Sequence, residues 1–130
     1  MMELALRRED GPVPLEVLAT SQDIPLRYLA KIAQDLKRAG LVRSVRGAHG
    51  GYMLARDPAE VEIIDIVQAL DGGMELAECV EDPRVCRRVA QCVTRELWRK
   101  AQDAMKAVLS AATLEELAER QRSRKRNKRD

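Results

Sequence analysis

Aromatic residues are almost missing from this sequence. Phe does not occur, and Tyr28, Tyr52 and Trp98 are the only aromatic side chains among 130 residues. Apolar residues still make up 45% of the chain, which is ordinary for a globular protein. The core must therefore be aliphatic, and helices that pack Leu, Ile, Val and Ala satisfy this more readily than a β-sandwich does.

Long hydrophobic runs are also missing. No apolar stretch approaches the roughly 18 residues that a membrane span needs, and the N-terminus lacks the apolar region of a signal peptide. Catalytic motifs are absent too, since the sequence contains no Ser-His-Asp set, P-loop or HExxH. We therefore expect a cytoplasmic protein that has no membrane partner and is not an enzyme.

Cysteine is scarce and confined to one place. Cys79, Cys86 and Cys92 lie within a single stretch of fourteen residues, and the rest of the chain has none. In a reducing compartment such clustering favours metal or redox chemistry over structural disulfides.

Charge is unevenly distributed along the chain, although the net charge is only +2. Residues 120–130 hold seven bases and one acid, and without them 16 bases face 20 acids, a net of −4. Residues 25–56 carry seven bases and one acid, whereas residues 57–82 carry nine acids and no base. This partition indicates a face that binds a polyanion and a separate regulatory portion. The basic tail is predicted to be disordered.

Two short helices predict a helix-turn-helix. "PLEVLATSQDI" is followed by "PLRYLAKIAQDLKRAGLV", whose apolar residues recur at helical spacing and whose Gly40 is a good C-terminal stop. Side chains in the N-terminal half of the second helix would reach base edges, and a later one would contact phosphate. These candidates are Arg27, Tyr28 and Lys31 for base edges, and Arg38 for phosphate.

A glycine-rich hairpin follows the helix pair. "LVRSV" and "YML" resemble short strands, and the "RGAHGG" between them can turn tightly. Helices followed by such a hairpin predict a winged helix. Arg43 and Arg46 would act from the wing, with Arg46 in the minor groove, and we assign His49 to DNA rather than to a metal.

The longest predicted helix spans about residues 93–110 and has an apolar stripe. This stripe is longer than the core of so small a domain can cover, so a second copy of the chain is the expected partner. The twofold symmetry of such a dimer would match paired half-sites on double-stranded DNA. The stripe consists of Leu97, Ala101, Ala104, Met105 and Val108.

The sequence predicts that the chain is divided into four parts. Residues 1–57 form the winged helix with a short first helix, and residues 58–92 form a linking helix and the cysteine-bearing loop. Residues 93–119 form the dimerisation helix and a C-terminal helix, and residues 120–130 form the tail.

The three cysteines suit a soft metal site. On one regular helix Cys86 and Cys92 would be turned roughly 240° apart, so a loop is expected here, and Pro83 favours one. Thiolates suit an iron–sulfur cluster or zinc, and three of them leave one coordination position to be filled. Nearby arginines would stabilise thiolate charge. Three unrelated thiols remain the alternative.

These pieces together resemble the Rrf family of winged helix-turn-helix transcriptional regulators of the IscR, NsrR and RirA type. The resemblance is carried by "GPVPLEVLA", by "IPLRYLAKIAQDLKRAGLVRSVRGAHGGYMLAR", by the cysteines, by "LW" at residues 97–98 and by "TLEEL". It implies a dimer that binds palindromic operators and senses iron, nitric oxide or redox state through an iron–sulfur cluster.

The chain departs from the family pattern at three positions. It begins within the first helix, it has Arg95 where IscR-type relatives place a histidine ligand, and it has Ala30 where IscR carries a base-reading acid. The fourth ligand is therefore unidentified.

Our hypothesis is a homodimeric, sequence-specific DNA-binding repressor whose operator affinity depends on a cluster held by the three cysteines. The alternatives are a cluster-free thiol–disulfide switch and a helical adaptor that does not bind DNA.

Overall fold

The computed structural model describes residues 1–129 and consists mainly of helices with one β-hairpin. This confirms the predicted fold class. The elements are α1 (Met2–Leu6), α2 (Leu15–Gln22), α3 (Leu26–Arg38), β1 (Val42–Val45), β2 (Gly51–Leu54), α4 (Ile63–Asp71), α5 (Glu78–Glu81), α6 (Val93–Ser110) and α7 (Leu114–Asn127). None of the helices among these described residues is long and apolar enough to cross a bilayer.

The turn between α2 and α3 makes the helix-turn-helix. Helix α2 ends at Asp23, which adopts a left-handed conformation with φ of 51°, and the next N–H, of Ile24, donates to the carbonyl of Ala19 at 3.0 Å. Aspartate tolerates this conformation better than most residues. Pro25 then precedes the first turn of α3, which buries Ala33 and Leu36 and leaves its opposite face in solvent.

The hairpin is joined by a third extended segment. Strands β1 and β2 are antiparallel, with Ser44 opposite Tyr52, and Tyr52 also exchanges two backbone hydrogen bonds with Val13 at 2.8 and 2.9 Å. A Cβ at Gly51 would overlap the backbone of Val13 and Pro14, and its φ of 152° disfavours other residues. A glycine is thus required at position 51 both by its backbone conformation in the hairpin and by the close contact with the Val13 segment.

We predict that Gly51→Ala destabilises the winged helix by about 1–3 kcal/mol, because the added methyl group forces the Val13 segment away from the hairpin. Urea denaturation measures this change. Gly47→Ala is the matched control, since Gly47 also has positive φ, at 115°, but no atom within 4 Å of its added Cβ. Equal losses in the two variants would contradict the packing argument.

Helix α7 packs on the winged helix. Its N-terminal end is fixed by a capping box of Thr113 and Glu116, and the N–H of Leu114 donates to the carbonyl of Val61 at 2.8 Å. Leu114 and Ala118 are fully buried in the core cluster with Leu4 and residues of α2, α3 and β1. The sequence grouped this helix with the dimerisation helix, whereas in the structure it contacts α1.

The same helix corrects the expectation of a disordered tail. It continues to Asn127 instead of ending near residue 119, and Asp130 lies outside the described residues. Arg122 fixes the middle of the helix, because its guanidinium donates to the carbonyl of Ala5 and to the carboxylate of Glu115, each at 3.0 Å. Arg, Gln and Lys are also good helix formers.

Candidate DNA-binding surface and cysteine segment

Helix α3 presents a row of polar side chains to solvent. Arg27, Lys31 and Arg38 lie at i, i+4 and i+11, which places them on one face of the helix, and all three are exposed. Tyr28 stands beside this row with 61% of its surface exposed. Four predicted DNA-contacting residues therefore share one accessible surface.

Gln34 belongs to the same row and was missed by the sequence analysis. It is exposed at i+7 from Arg27, between Lys31 and Arg38. Its amide can donate to and accept from one adenine, which makes it a candidate for base reading. The helical spacing of Arg27 and Lys31 was the signal that could have identified it.

The wing places two arginines and a histidine next to α3. Arg43, Arg46 and His49 are exposed, the first on β1 and the other two in the loop that joins the strands. The ammonium group of Lys37 donates to the hydroxyl of Ser44 at 2.8 Å and so ties the end of α3 to β1. Helix and wing thus form one continuous basic surface, and Lys37 orients them.

Arg38 has an acidic neighbour. Its guanidinium lies 3.3 Å from the carboxylate of Asp35, and 78% of the Arg38 side chain remains exposed. An exposed pair of this kind contributes little to stability, so Arg38 remains able to bind a phosphate.

The cysteine segment folds into short helical turns. Cys79 lies in α5, Cys86 follows a 3-10 turn over Pro83–Val85, and Cys92 follows another over Val89–Gln91. Cys86 is exposed, and the other two thiols are half-buried. Within residues 1–129 no group of three or more His, Cys, Asp or Glu side chains is placed to hold a metal ion. The three predicted ligands are therefore near one another in sequence but not assembled into a site.

Cys92 has a distinctive environment at the start of α6. Its sulfur lies 3.0 Å from the hydroxyl of Thr94. The hydrogen bond from Thr94 lowers the pKa of the Cys92 thiol, and the backbone N–H groups of Arg95 and Thr94 and the charge of Arg95 lower it further. Donors at the first turn of a helix stabilise a thiolate, so Cys92 is suited to thiol chemistry.

Arg95 has a structural role. Its guanidinium donates to the carbonyl of Cys79 at 2.6 Å and to the carbonyl of Val80 at 3.4 Å. It thereby holds the end of α5 against α6, at the position where the family resemblance would place a histidine ligand.

Gln102 makes a second attachment between the same elements. Only 2% of this residue is exposed, its amide nitrogen donates to the carboxylate of Glu81 at 2.6 Å, and its oxygen accepts from the backbone N–H of Leu76 at 3.1 Å. Lys106 also approaches Glu81, at 3.6 Å. The polar side of α6 is thus bonded to both ends of the stretch from Leu76 to Glu81.

We predict that Gln102→Ala loosens this stretch, because it leaves the Leu76 amide and the Glu81 carboxylate without their buried partner. The expected loss in unfolding free energy is about 1–3 kcal/mol. Hydrogen exchange should become faster in residues 76–81 while exchange in α2 stays the same. Asp103→Ala, at the exposed neighbouring position on α6, is the control. Unchanged exchange in residues 76–81 would refute the proposed attachment.

The opposite side of α6 is apolar and open to solvent. Leu97 and Val108 are 61% and 69% exposed, Ala101 and Ala104 are also exposed, and Met105 is half-buried. Val93 and Trp98 add to this surface. An exposed apolar stripe on a helix with the buried Gln102 on its other side is typical of an association surface.

Comparisons with known proteins agree with these features. A family model described as Rrf2, iron-dependent transcriptional regulator, matches residues 1–120. The regulator IscR of Photorhabdus laumondii is 36% identical over 121 residues, which are 93% of this chain and 73% of that protein. The regulator CymR of Bacillus subtilis is 38% identical over 118 residues, which are 91% of this chain and 80% of that protein.

A solved structure of CymR, described as the global cysteine regulator of B. subtilis, matches the fold with a TM-score of 0.75 at 37% identity. The match covers 91% of this chain and 86% of that chain. These relatives are regulators rather than enzymes, as the sequence predicted. The chain belongs to the Rrf2 family of transcriptional regulators.

Proposed function

We propose that this protein binds a palindromic operator as a homodimer and that the cysteine segment controls its affinity. The observation that carries the DNA-binding part is the exposed row on α3 beside the cations of the wing. A helix with this surface fits the major groove, and an adjacent arginine-bearing hairpin fits the minor groove.

The exposed stripe on α6 supports the homodimer. A dimer through two copies of α6 would cover the side chains of Leu97 and Val108, and its twofold axis would relate two copies of α3. Paired recognition helices require paired half-sites about one helical turn (~34 Å) apart, or a multiple of that spacing.

Selection from a pool of random duplexes tests the DNA-binding part. The selected sequences should share an inverted repeat, and the logarithm of the binding constant should fall steeply with the logarithm of the salt concentration. An adaptor protein would give no shared sequence and no steep salt dependence, and either result would overturn the proposal.

For the control of affinity we propose an iron–sulfur cluster bound by Cys79, Cys86 and Cys92. The donor chemistry fits, because all three ligands are thiols and Arg95 adds positive charge near Cys92. The arrangement does not fit, because among residues 1–129 the three thiols are not grouped with one another or with a fourth ligand. Cluster binding would therefore require the segment between α5 and α6 to refold, and we derive no regulatory step from it.

A thiol switch is the second candidate, and the environment of Cys92 favours it. A thiol whose pKa is lowered by Thr94 and by helix N–H groups ionises at lower pH and reacts more readily with oxidants. Cys86 is the exposed thiol of the same segment and could pair with it.

Purification without oxygen separates these candidates. Visible absorbance together with iron and sulfide near cluster stoichiometry supports the cluster. Colourless protein whose operator binding changes reversibly with oxidant supports the thiol switch, and colourless protein with bound zinc refutes the cluster. If the variant with all three cysteines replaced by Ser responds to iron and oxidant as the wild type does, the segment is not the sensor.

A further inference from the structure

The C-terminal part of α7 is unusually basic. The basic extension, residues 120–129, contains seven Arg and Lys residues and no acid. All of these cations except the half-buried Arg122 are exposed. Of these seven cations, Arg122 forms a salt bridge with a described residue, and the other six cations form none among the described residues.

The basic extension places like charges on successive turns. Arg120, Arg124 and Lys128 follow one another at i, i+4 and i+8, and Arg122 and Arg126 form a second row. Like charges at this spacing destabilise a helix. Beyond Ala118 the helix has no apolar residue that could attach it to another helix. A polyanion would relieve this repulsion, whereas an apolar partner would find no surface to bind.

The extension is attached firmly to the winged helix. Leu114 and Ala118 are buried in its core, Arg122 bonds to the carbonyl of Ala5, and Arg8 pairs with Glu115 at 3.1 Å. From Arg122 to Asn127 the helix projects by roughly 8 Å, at a rise of about 1.5 Å per residue. The cations therefore lie on a helix whose N-terminal part is packed in the same core as the recognition helix α3.

These cations also form a shallow concave surface. Four of these cations line a groove of about 650 Å³ along the extension, together with Glu119 and Ser123; they are Arg122, Lys125, Arg126 and Arg129. Without residues 120–130 the chain has a net charge of −4, so this surface supplies much of its attraction for a polyanion.

We propose that the basic extension is a second DNA-binding element, which contacts the phosphates of duplex DNA flanking the operator. This inference rests on the proposed function, because it takes the winged helix to be bound to DNA. Flanking duplex is the polyanion that would then be held near the extension at high effective concentration. The contact is with phosphates, so it adds affinity without adding base specificity.

The test compares two operator duplexes, one that ends at the half-sites and one extended by about one helical turn (~10 bp) on each side. Both are titrated with the full chain at several salt concentrations. The wild type should bind the longer duplex with an affinity at least about tenfold higher than its affinity for the shorter one. In a variant with Arg124, Lys125, Lys128 and Arg129 replaced by Gln, this difference should vanish, and the salt slope on the longer duplex should fall by about one for each phosphate that the variant no longer binds.

A charge-conserving variant, Arg124→Lys, Lys125→Arg, Lys128→Arg and Arg129→Lys, is the matched control and should keep the length preference. Gln retains helix propensity, and circular dichroism of the Gln variant verifies that α7 is formed.

If the Gln variant keeps the preference for longer DNA, the inference is wrong and the proposed function stands. If the wild type binds neither duplex, the proposed function fails and the inference fails with it. If the Gln variant loses binding to single-stranded RNA or anionic vesicles but not to the longer duplex, the extension serves a different polyanion and the inference is overturned.

Discussion

Replacing both Arg27 and Lys31 with Ala should weaken operator binding by about 1,000-fold or more. Each side chain is exposed on the face of α3 that would enter the major groove. A homodimer carries four such side chains, and at about 1 kcal/mol each the expected cost in binding free energy is about 4 kcal/mol, or roughly three factors of ten. Isothermal titration or a mobility shift with the selected operator measures it.

The charge-conserving double variant Arg27→Lys, Lys31→Arg is the control for this result. It preserves the attraction to phosphates but changes the geometry of the donors, so it should retain nonspecific binding and lose discrimination between operator and random duplex. Neither position is buried, so both variants should fold. Operator affinity within about threefold of the wild type in the Ala double variant would contradict the assignment of α3 as the recognition helix, because each base contact is worth about 1 kcal/mol or more.

Leu97→Glu together with Val108→Glu should produce a monomer and weaken operator binding by about 100-fold or more. Both side chains face solvent within one chain, so the change should not unfold the protomer, but it would place four carboxylates in the apolar contact of a dimer. Without a dimer, each half-site must bind its protomer independently, and a linked pair commonly gains about 10²–10⁴ in avidity. Analytical ultracentrifugation gives the mass, and operator titration gives the affinity.

Arg99→Glu is the matched control, since Arg99 is exposed on α6 away from the apolar stripe. This variant should remain dimeric. A Leu97/Val108 variant that sediments as a dimer and binds the operator normally would show that the stripe serves another purpose.

The DNA-binding half was predictable because its signals are local. The spacing of Leu26, Leu29, Ile32 and Leu36 predicts an inward face of α3, and the structure buries all or half of each of these side chains except Leu26, which is 45% exposed. The same spacing predicts the opposite face that carries Arg27 and Lys31. Gly40 ends the helix with φ of 73°, as its position predicted. The glycine-rich loop predicted the hairpin, although only the structure shows that Gly51 is needed for the contact with Val13.

The remaining features depend on contacts between distant residues. A polar sequence such as "RQRSRKRN" resembles a solvated tail, and nothing local reveals that Arg122 bonds to Ala5, 117 positions away. Gln102 likewise resembles an exposed helical residue until Leu76 and Glu81 are brought to it. The cysteine spacing predicted thiol chemistry but could not show whether the turns around Pro83 assemble the thiols.

The attachments of α6 to the cysteine segment have a consequence for how the sequence of this segment can change. Arg95 bonds to the carbonyls of Cys79 and Val80, which every amino acid supplies, and Gln102 bonds to the N–H of Leu76, which every amino acid except proline supplies. Side chains in the segment can therefore be exchanged while its mechanical connection to the helix is retained. Substitutions there that leave the backbone in place would keep α6 bonded to the segment through the same atoms.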